Sequence, residues 1–339
     1  MRSLIGLNLL VLSVGAVACA AAPMGAAASL AEPSSPWVSV ARGIWLIPEI
    51  VKADREPDGN TVVFDAPSGL VVMDTGRHAW HRDGILALAS AQQKPIVAII
   101  NSHWHLDHTS GNPALRAKYP ALRVYASGAI NEALSGFLAG SAARSEKYLN
   151  DPQVPAGIKE DIRAGLLTIQ SGSSLRPDVE IKSSAVMRIG GRKLHVNLEH
   201  DAATAGDVWV YDEPSGVAAL GDLVTIPSPY LDTACPEGWS RALVHVTDTP
   251  FKIAVPGHGP LLSRAQVMRY RSAFDAFIEC AKSSNPKAVC ADGWSKSMRD
   301  VLGDNNFDGA SATDEAAEYV DMLRANGGNS RFCPQPHSI

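Results

Sequence analysis

Short apolar runs punctuated by glycine and proline dominate the first third of the chain. β-Branched and apolar residues in such runs predict strands. Three strands are predicted in succession, at 43–47, 60–64 and 69–74. Residues 79–89 carry apolar side chains at helical spacing, and the run 96–100 is apolar throughout, which predicts a strand buried on both faces. That strand leads directly to His103.

Helices and strands continue to alternate beyond His103. A helix is predicted at 113–118 and a strand at 122–125, whereas residues 128–180 lose the strand pattern and predict polar helices. Four further strands and a helix are predicted at 193–198, 207–211, 217–220, 253–255 and 264–280. This order predicts an α/β fold. Residues 283–339 are mostly polar and predict an irregular appendage with one helical stretch at 315–323.

The first 26 residues have the layout of a secretory signal peptide. Arg2 is followed by the apolar run 4–18 and then by small residues, as signal peptidase requires. The run is too short to span a bilayer, so no transmembrane segment is predicted. We therefore predict a periplasmic or secreted protein. Cys19 follows a sequence similar to a lipoprotein cleavage box, which leaves a lipid-anchored protein as the alternative.

Composition indicates a folded and mildly acidic protein. Hydrophobic residues make up 46% of the 339 residues, enough for a sizeable core, and the formal net charge is −5. An acidic chain offers no basic surface for phosphate backbones, so nucleic acid is not the expected partner. A small-molecule substrate is predicted instead, and the sequence does not predict an oligomeric state.

Beyond the leader, the cysteines are even in number: Cys235, Cys280, Cys290 and Cys333. An even number in an exported chain predicts two disulfides. The short separation of Cys280 and Cys290 favours a bridge between them, which leaves Cys235 to hold the C-terminal tail through Cys333. The other pairings and buried free thiols stay open as alternatives.

The strongest chemical signal is the hexapeptide His103-Trp104-His105-Leu106-Asp107-His108. Neutral imidazoles suit Zn²⁺, and a carboxylate beside them adds a hard, charged ligand, so this spacing can present side chains to two adjacent metal positions. A structural zinc site usually includes cysteine, and no cysteine lies nearby in the sequence. The pattern therefore favours a catalytic metal site over a histidine-rich surface loop.

The hexapeptide belongs to a series of motifs that resembles the metallo-β-lactamase superfamily in order and separation. The other motifs are Val71-Val72-Met73-Asp74-Thr75-Gly76, Gly221-Asp222 and Pro256-Gly257-His258-Gly259. The resemblance implies a four-layer αββα sandwich with its metals at one edge, between the two sheets. We predict this domain at 36–270, with a helical insertion at about 128–185 and a C-terminal extension at 271–339.

Carried over residue by residue, the resemblance implies the ligands of two metal ions. It makes His103 and His105 ligands of the first metal, Asp107, His108 and His258 ligands of the second, and Asp222 the bridge between them. Asp74 is expected to support these ligands from behind, and Asp107 is expected to act in catalysis by orienting a metal-bound hydroxide. Zn²⁺ is the predicted cofactor.

One position departs from the family pattern. Family members place a histidine where this chain has Ala203, in the sequence Ala203-Thr204-Ala205-Gly206-Asp207. Alanine cannot bind metal, so the first position is expected to bind weakly and the protein to hold one or two ions. His200 is the possible substitute ligand, although three residues of extended chain place it about 10 Å away.

The resemblance implies an exported zinc-dependent hydrolase that acts on an ester, lactone, β-lactam or similar bond. Tyr230, in the loop after Asp222, is expected to border the substrate pocket, and Arg77, His78 and His81 are solvent-facing or reach its mouth. Two alternatives belong to other classes. A mono-iron oxidoreductase acting on sulfur compounds would contain iron and consume oxygen. A non-catalytic metal-binding accessory protein would bind zinc yet cleave no ester.

Overall fold

The computed structural model describes residues 35–303 and 309–333 of the chain. The predicted signal peptide and Cys19 lie outside these residues. Within them, the first sheet has seven strands hydrogen-bonded in chain order. They are β1 (Val38–Ala41), β2 (Ile44–Ile47), β3 (Thr61–Ala66), β4 (Gly69–Met73), β5 (Ile96–Ile100), β6 (Arg123–Ala126) and β7 (Val179–Glu180). Pairing is antiparallel from β1 to β4 and parallel from β4 to β7.

The second sheet has six strands within the described residues. They are β8 (Ala185–Ile189), β9 (Arg192–His200), β10 (Gly206–Asp212), β11 (Val217–Thr225), β12 (Ile253–His258) and β13 (Leu262–Ser263). Their order in the sheet is β13-β12-β11-β10-β9-β8, and only β11 and β12 pair in parallel. Parallel pairs at β4–β5 and β11–β12 place the carboxyl ends of neighbouring strands side by side, and the candidate metal ligands follow these ends.

The helices cover the outer faces of the two sheets. They are α1 (Ala79–Ala91), α2 (Leu106–Thr109), α3 (Asn112–Lys118), α4 (Ala129–Ser135), α5 (Phe137–Asn150), α6 (Ala156–Gln170), α7 (Pro236–Asp248), α8 (Arg264–Lys282), α9 (Lys287–Leu302) and α10 (Gly309–Ala325). Helices α4 to α6 lie within the range predicted for an insertion. Helix α8 runs through residue 270, so the predicted boundary with the C-terminal extension falls inside one continuous helix.

Three apolar layers hold this arrangement together. Between the sheets, side chains such as Phe64 of β3 and Val208 of β10 pack in one buried cluster. Outside the first sheet, Ile85 of α1 packs against strands, and outside the second sheet Trp239 of α7 and Phe274 of α8 do the same. Each fully buried side chain of this size stabilises the fold by about 1.5–3 kcal/mol. The result is the predicted αββα sandwich.

The cysteines pair as the short separation favoured. Cys280 and Cys290 lie at bonding distance, and so do Cys235 and Cys333. The first pair joins α8 to α9, and the second joins the residue that precedes α7 to the end of the described chain. No helix in the described part of the chain combines the length and the apolar character that a membrane crossing needs.

The C-terminal extension is more regular than expected: α10 contains the helical stretch predicted at 315–323, and a second helix, α9, was not predicted. Helix α9 buries Cys290, Trp294 and Met298 against the core of the second sheet, and α10 packs on α9. These apolar positions recur at helical spacing, but polar residues surround them and mask the pattern. Other elements that were not predicted include helix α7 and edge strand β8, which alternates weakly because its side chains are mostly exposed.

Candidate metal centre

The candidate ligands meet at the edge where the two sheets face each other. The loop after β5 and the short helix α2 carry the hexapeptide 103–108, Asp222 lies within β11, and His258 ends β12. Gly257 permits this closeness, because a Cβ there would overlap the Asp222 carboxylate. Residues separated by up to 155 positions in the chain thus share one site, at the carboxyl ends of parallel strands.

One group of atoms corresponds to the predicted first metal position. His103 Nε2 lies 2.8 Å from His105 Nδ1 and 3.4 Å from Asp222 Oδ2. All three residues are buried, and His105 is the most exposed of them at 9%. Three convergent protein donors match the count of a catalytic zinc site, which keeps one position for water or substrate.

A second group corresponds to the predicted second position and shares Asp222 with the first. His108 Nε2 lies 3.1 Å from Asp222 Oδ1 and 3.3 Å from His258 Nε2. His258 Nε2 in turn lies 3.1 Å from Asp107 Oδ2. All six predicted ligands are therefore brought together: ligand atoms of His103, His108 and Asp222 lie within 4.8 Å of one another, as do those of Asp107, His108 and His258, and His105 contacts His103.

The donor set fits a cation. Asp222 Oδ1 is buried without a hydrogen-bond partner in the described residues, although it lies within reach of two imidazoles. Burial lowers the pKa of His108 and His258, but the surrounding carboxylates, Asp222 first, outweigh it: the His108 pKa is held well above its ordinary value and that of His258 is raised to about 10.

The electrostatics of the remaining ligands agree with this picture. Burial works to raise the pKa of Asp107 and Asp222, yet the adjacent histidines, His108 first, hold both values well below the ordinary range. Burial and the neighbouring His103 together lower the pKa of His105 well below its ordinary value. Ionised carboxylates and a neutral imidazole are the forms that bind Zn²⁺.

Asp74 supports the cluster from behind. Its carboxylate accepts hydrogen bonds from the backbone N–H and the hydroxyl of Ser102, at 2.7 and 2.6 Å, and lies 2.9 Å from His108 Nδ1. Ser102 Oγ also lies 2.9 Å from His103 Nδ1. Asp74 adopts a φ of 63°, which is uncommon for a residue with a side chain. One carboxylate thus orients two imidazoles, as is usual for metal-binding histidines.

Sequence reasoning missed the partner of His258. Glu49 Oε2 lies 2.9 Å from His258 Nδ1, and Glu49 Oε1 accepts a 2.7 Å hydrogen bond from the Gly259 backbone. Asn60 fixes this loop by donating to the carbonyls of Pro256 and Gly259 while accepting from the Glu49 backbone. Because 209 positions separate Glu49 from His258, no local pattern indicates the contact.

The segment 55–60 closes the site from the side of the first sheet. Gly59 donates its N–H to the Asp107 carbonyl at 3.1 Å, and its lack of a side chain matters because a Cβ would overlap the His108 ring. Asp58 anchors the segment by accepting from the backbone of His78 and by contacting His78 Nδ1 at 2.8 Å. The segment therefore packs directly on the second metal position.

Two of the three side chains considered after Asp74-Thr75-Gly76 do not lie where they were predicted. His78 and His81 are neither solvent-facing nor at the mouth: they are 6% and 1% exposed and contact Asp58 and Thr61. Arg77 does reach the site, with Nη2 3.8 Å from Asp107 Oδ1. A guanidinium thus borders the second metal position.

The structure does not bring His200 to the cluster. His200 ends β9 opposite Gly206 and is exposed, whereas the six converging side chains are buried or nearly so. Beside the first position lies Thr233 instead: its hydroxyl donates to the Ala203 carbonyl at 2.9 Å and lies 3.1 Å from His105 Nε2. The expectation of a substitute ligand therefore lacks support in the geometry.

Aromatic rings border the first position. Tyr230 is 36% exposed, and its ring meets the ring of His105 edge-on with centroids 5.1 Å apart. Trp104 and Phe137 lie on the same side, with ring centroids 4.5 and 6.5 Å from that of His105. The mouth thus combines ionised groups near Asp107 with an aromatic surface near His105.

The sequence of this chain is similar to parts of two known enzymes. The chain is 28% identical over 180 residues to an (R)-specific secondary-alkylsulfatase from Pseudomonas sp., covering 49% of this chain and 27% of that protein. It is 30% identical over 225 residues to a linear primary-alkylsulfatase from another Pseudomonas strain, covering 60% of this chain and 42% of that protein. The chain thus spans less than half the length of these curated relatives.

Solved structures share the fold. A metallo-beta-lactamase from Pontibacter korlensis matches 70% of this chain and 98% of its own with a TM-score of 0.50 and 18% identity. A double mutant of a sec-alkyl sulfatase matches 72% of this chain and 42% of its own with a TM-score of 0.52 and 19% identity. The sequence model of the metallo-beta-lactamase superfamily matches residues 55–274, which include all six converging side chains. The chain belongs to the metallo-beta-lactamase superfamily.

Proposed function

We propose that this protein is a metal-dependent hydrolase that cleaves esters of small molecules, with sulfate esters of aliphatic alcohols as the first substrate class. The observation that carries the proposal is the convergence of His103, His105, Asp107, His108, Asp222 and His258 at one partly open edge of the sandwich. Such a donor set with unfilled positions is typical of catalytic rather than structural sites.

Zn²⁺ is the proposed cofactor. His103, His105 and Asp222 would hold one ion, and Asp107, His108, His258 and the shared Asp222 would hold the other. A bound divalent cation supplies a nucleophilic water at neutral pH and draws electron density from the ester. The first position has fewer protein ligands because Ala203 contributes none, so we propose that it binds more weakly.

The side chains around the ions have separate tasks. Asp107 has one oxygen toward His258 and His108 and the other toward Arg77, so its carboxylate can accept a hydrogen bond from the attacking water and fix its direction. Asp74 and Glu49 hold the imidazoles in place. Arg77 presents a cation at the mouth, which favours an anionic substrate.

Sulfate esters are proposed first because two observations agree. Both curated relatives quoted above are named alkylsulfatases. The mouth has a guanidinium beside the second metal position and aromatic rings beside the first, which suit an anionic head and an apolar body. The lactamase structures support the fold alone, because their identity to this chain is low.

A substrate panel tests the proposal. The protein without residues 1–26, loaded with zinc, is offered octyl sulfate, 4-nitrophenyl butyrate, a γ-lactone, a cephalosporin and bis(4-nitrophenyl) phosphate. We expect octyl sulfate to be hydrolysed with the highest kcat/KM, measured as sulfate released. A fully loaded protein that cleaves none of the five compounds would overturn the hydrolase proposal, and iron content with oxygen uptake would favour the oxidoreductase instead.

Installing the absent ligand tests the proposal for the first position. Ala203→His is expected to raise the zinc retained after dialysis against a weak chelator from about one to about two equivalents, because it adds an imidazole to a site with three protein donors. The measurement is metal content by plasma mass spectrometry. The matched control His200→Ala is expected to leave metal content unchanged, and two retained equivalents in both wild type and control would contradict a weak first position.

Export to an oxidising compartment is proposed with this function. The two cysteine pairs at bonding distance are compatible with such a compartment, and the layout of residues 1–26 is that of a secretory leader. Cysteines held as disulfides would persist there, whereas the reducing cytosol would open them.

A further inference from the structure

The C-terminal extension reaches the mouth of the metal centre. Phe332, in the last described turn of the chain, packs edge-on against Phe137 of α5 with ring centroids 5.0 Å apart. Phe137 in turn lies 5.3 Å from Trp104 and 6.5 Å from His105 by ring centroids. A residue 58 positions beyond the family match therefore belongs to the aromatic surface beside the first metal position.

Covalent and hydrogen bonds fix the position of Phe332. Its neighbour Cys333 is bonded to Cys235, the residue that precedes α7. The Cys235 backbone N–H donates to the carbonyl of Ala202 at 2.8 Å, and the Ser330 N–H donates to the carbonyl of Ala234 at 3.4 Å. The tail is thus tied at both ends to the loop that passes beside the metal centre, so the Phe332 ring is presented by a restrained backbone.

The two C-terminal helices also reach the loop that carries Tyr230. Tyr319 of α10 lies near Asp232 of this loop: burial and the Asp232 carboxylate raise the pKa of Tyr319 well above its ordinary value. Trp294 of α9 donates to the Pro227 carbonyl at 3.0 Å, in the same loop. The extension therefore packs against the loop of Tyr230 as well as supplying Phe332.

The rings that face the mouth are only partly covered. Phe137 and Phe332 are half-buried, and Tyr230 is 36% exposed, although Trp104 beneath them is 7% exposed. Partly exposed aromatic rings beside a group of buried ionisable residues are typical of a site that takes an amphiphilic small molecule. Asp107 and Arg77 lie at the second metal position, so the apolar end of that molecule would lie toward Phe332, whose ring also contacts the Arg331 guanidinium at 4.8 Å from the ring centroid.

We propose that Phe332, held in place by the Cys235–Cys333 bond, is a specificity-determining residue that contacts the aliphatic part of the substrate. This inference rests on the proposed function, because it takes the substrate to be an ester with an apolar chain. Phe332 lies outside the family match, which ends at residue 274, so its part of the aromatic surface is a feature of this chain. The proposed contact predicts that the protein prefers esters with long alkyl chains over esters with short ones.

Chain-length selectivity tests the proposal. Phe332→Ala is expected to raise KM for octyl sulfate by about tenfold, the effect of losing contact with one or two methylenes, and to change KM for ethyl sulfate by less than about twofold. Turnover at saturation and metal content should stay as in wild type, and Phe332→Leu should restore most of the octyl preference. Equal effects on both esters, or no effect on either, would refute the role of Phe332.

The two disulfides provide a matched comparison. The double variant Cys235→Ser with Cys333→Ser is expected to show the same loss for octyl sulfate, because the tail is released. The double variant Cys280→Ser with Cys290→Ser removes a bond away from the mouth and should retain the octyl preference. If both double variants lost selectivity to the same extent, general destabilisation would explain the result and the proposal would fail.

A ligand that cannot be hydrolysed separates this inference from the proposed activity. Calorimetry with 1-octanesulfonate and ethanesulfonate measures binding directly in the zinc-loaded protein. We expect Phe332→Ala to weaken binding of 1-octanesulfonate by about tenfold and to leave ethanesulfonate within about twofold. If the protein hydrolyses no ester but shows this binding pattern, the proposed role of Phe332 stands and the proposed hydrolase function fails. If the wild-type protein does not bind 1-octanesulfonate more tightly than ethanesulfonate, the proposed contact of Phe332 with the aliphatic chain is refuted.

Discussion

Replacing His108 with alanine is expected to remove metal from the protein. His108 Nε2 lies at the centre of the second metal position, within 3.5 Å of Asp107, Asp222 and His258, and it is also close to His103. Loss of a hydrogen-bonding partner behind a ligand already costs 10–100-fold in metal affinity. Loss of the ligand itself should therefore weaken zinc binding by more than about a hundredfold, measured by competition with a chromophoric chelator.

The control for this experiment is another histidine of the same chain. His200 is exposed at the end of β9 and does not belong to either group, so His200→Ala should bind zinc as wild type does. Circular dichroism would establish that both variants are folded. Zinc affinity in His108→Ala within about threefold of the control would contradict the assignment of His108 as a ligand.

The second large effect is expected on turnover. Asp107→Asn keeps the shape of the side chain and an oxygen donor, but it removes the negative charge that faces His258 and His108. Because that charge is proposed to fix and activate the attacking water, kcat should fall by about 10²- to 10⁴-fold. Substrate affinity should change little, since the carboxylate is not proposed to contact the apolar part of the substrate. Kinetics with the best ester of the panel measure both quantities.

An exposed carboxylate serves as the comparison for Asp107. Asp83 lies exposed on α1 and pairs with Arg82 at the surface, so Asp83→Asn should leave kcat unchanged. Zinc content is measured on both variants, because a fall in kcat has to be compared at equal metal loading. Wild-type turnover in a zinc-loaded Asp107→Asn protein would refute the proposed role of its carboxylate.

The part of the site that is local in sequence could be predicted. Residues 103–108 are contiguous and follow a strand whose apolar run is unmistakable, so both their spacing and their position at a strand end were accessible. Asp222 and His258 lie further along, but glycine neighbours mark each of them, and the order of motifs resembles a known superfamily. The fold followed from the same motifs, together with the alternation of β and α segments.

What could not be predicted depends on contacts between distant segments. Glu49 meets His258 only because β2 and β12 end at the same edge of the sandwich, and a glutamate before an apolar run carries no sign of this. The contact of Thr233 with His105 likewise joins two segments that are distant in the sequence. Phe332 was treated as part of an irregular tail, because its position depends on the Cys235–Cys333 bond and on α9 and α10, whose apolar positions are sparse.

His200 shows a different limit of sequence reasoning. Its distance along the chain left it within conceivable reach of the first metal position. In the structure, β9 continues to His200 itself and pairs with the start of β10. Regular strand pairing thus gives His200 a place in the sheet that the spacing of residues did not indicate.

Anomalous X-ray diffraction at the zinc edge, on crystals of the protein grown with zinc, tests the central claim most directly. The account predicts an anomalous peak about 2.0–2.2 Å from His108 Nε2 and from His258 Nε2, within coordination distance of Asp107 and Asp222. A second, weaker peak is expected beside His103 and His105. Crystals that bind zinc only elsewhere, with no peak between these side chains, would contradict the metal centre and the function built on it.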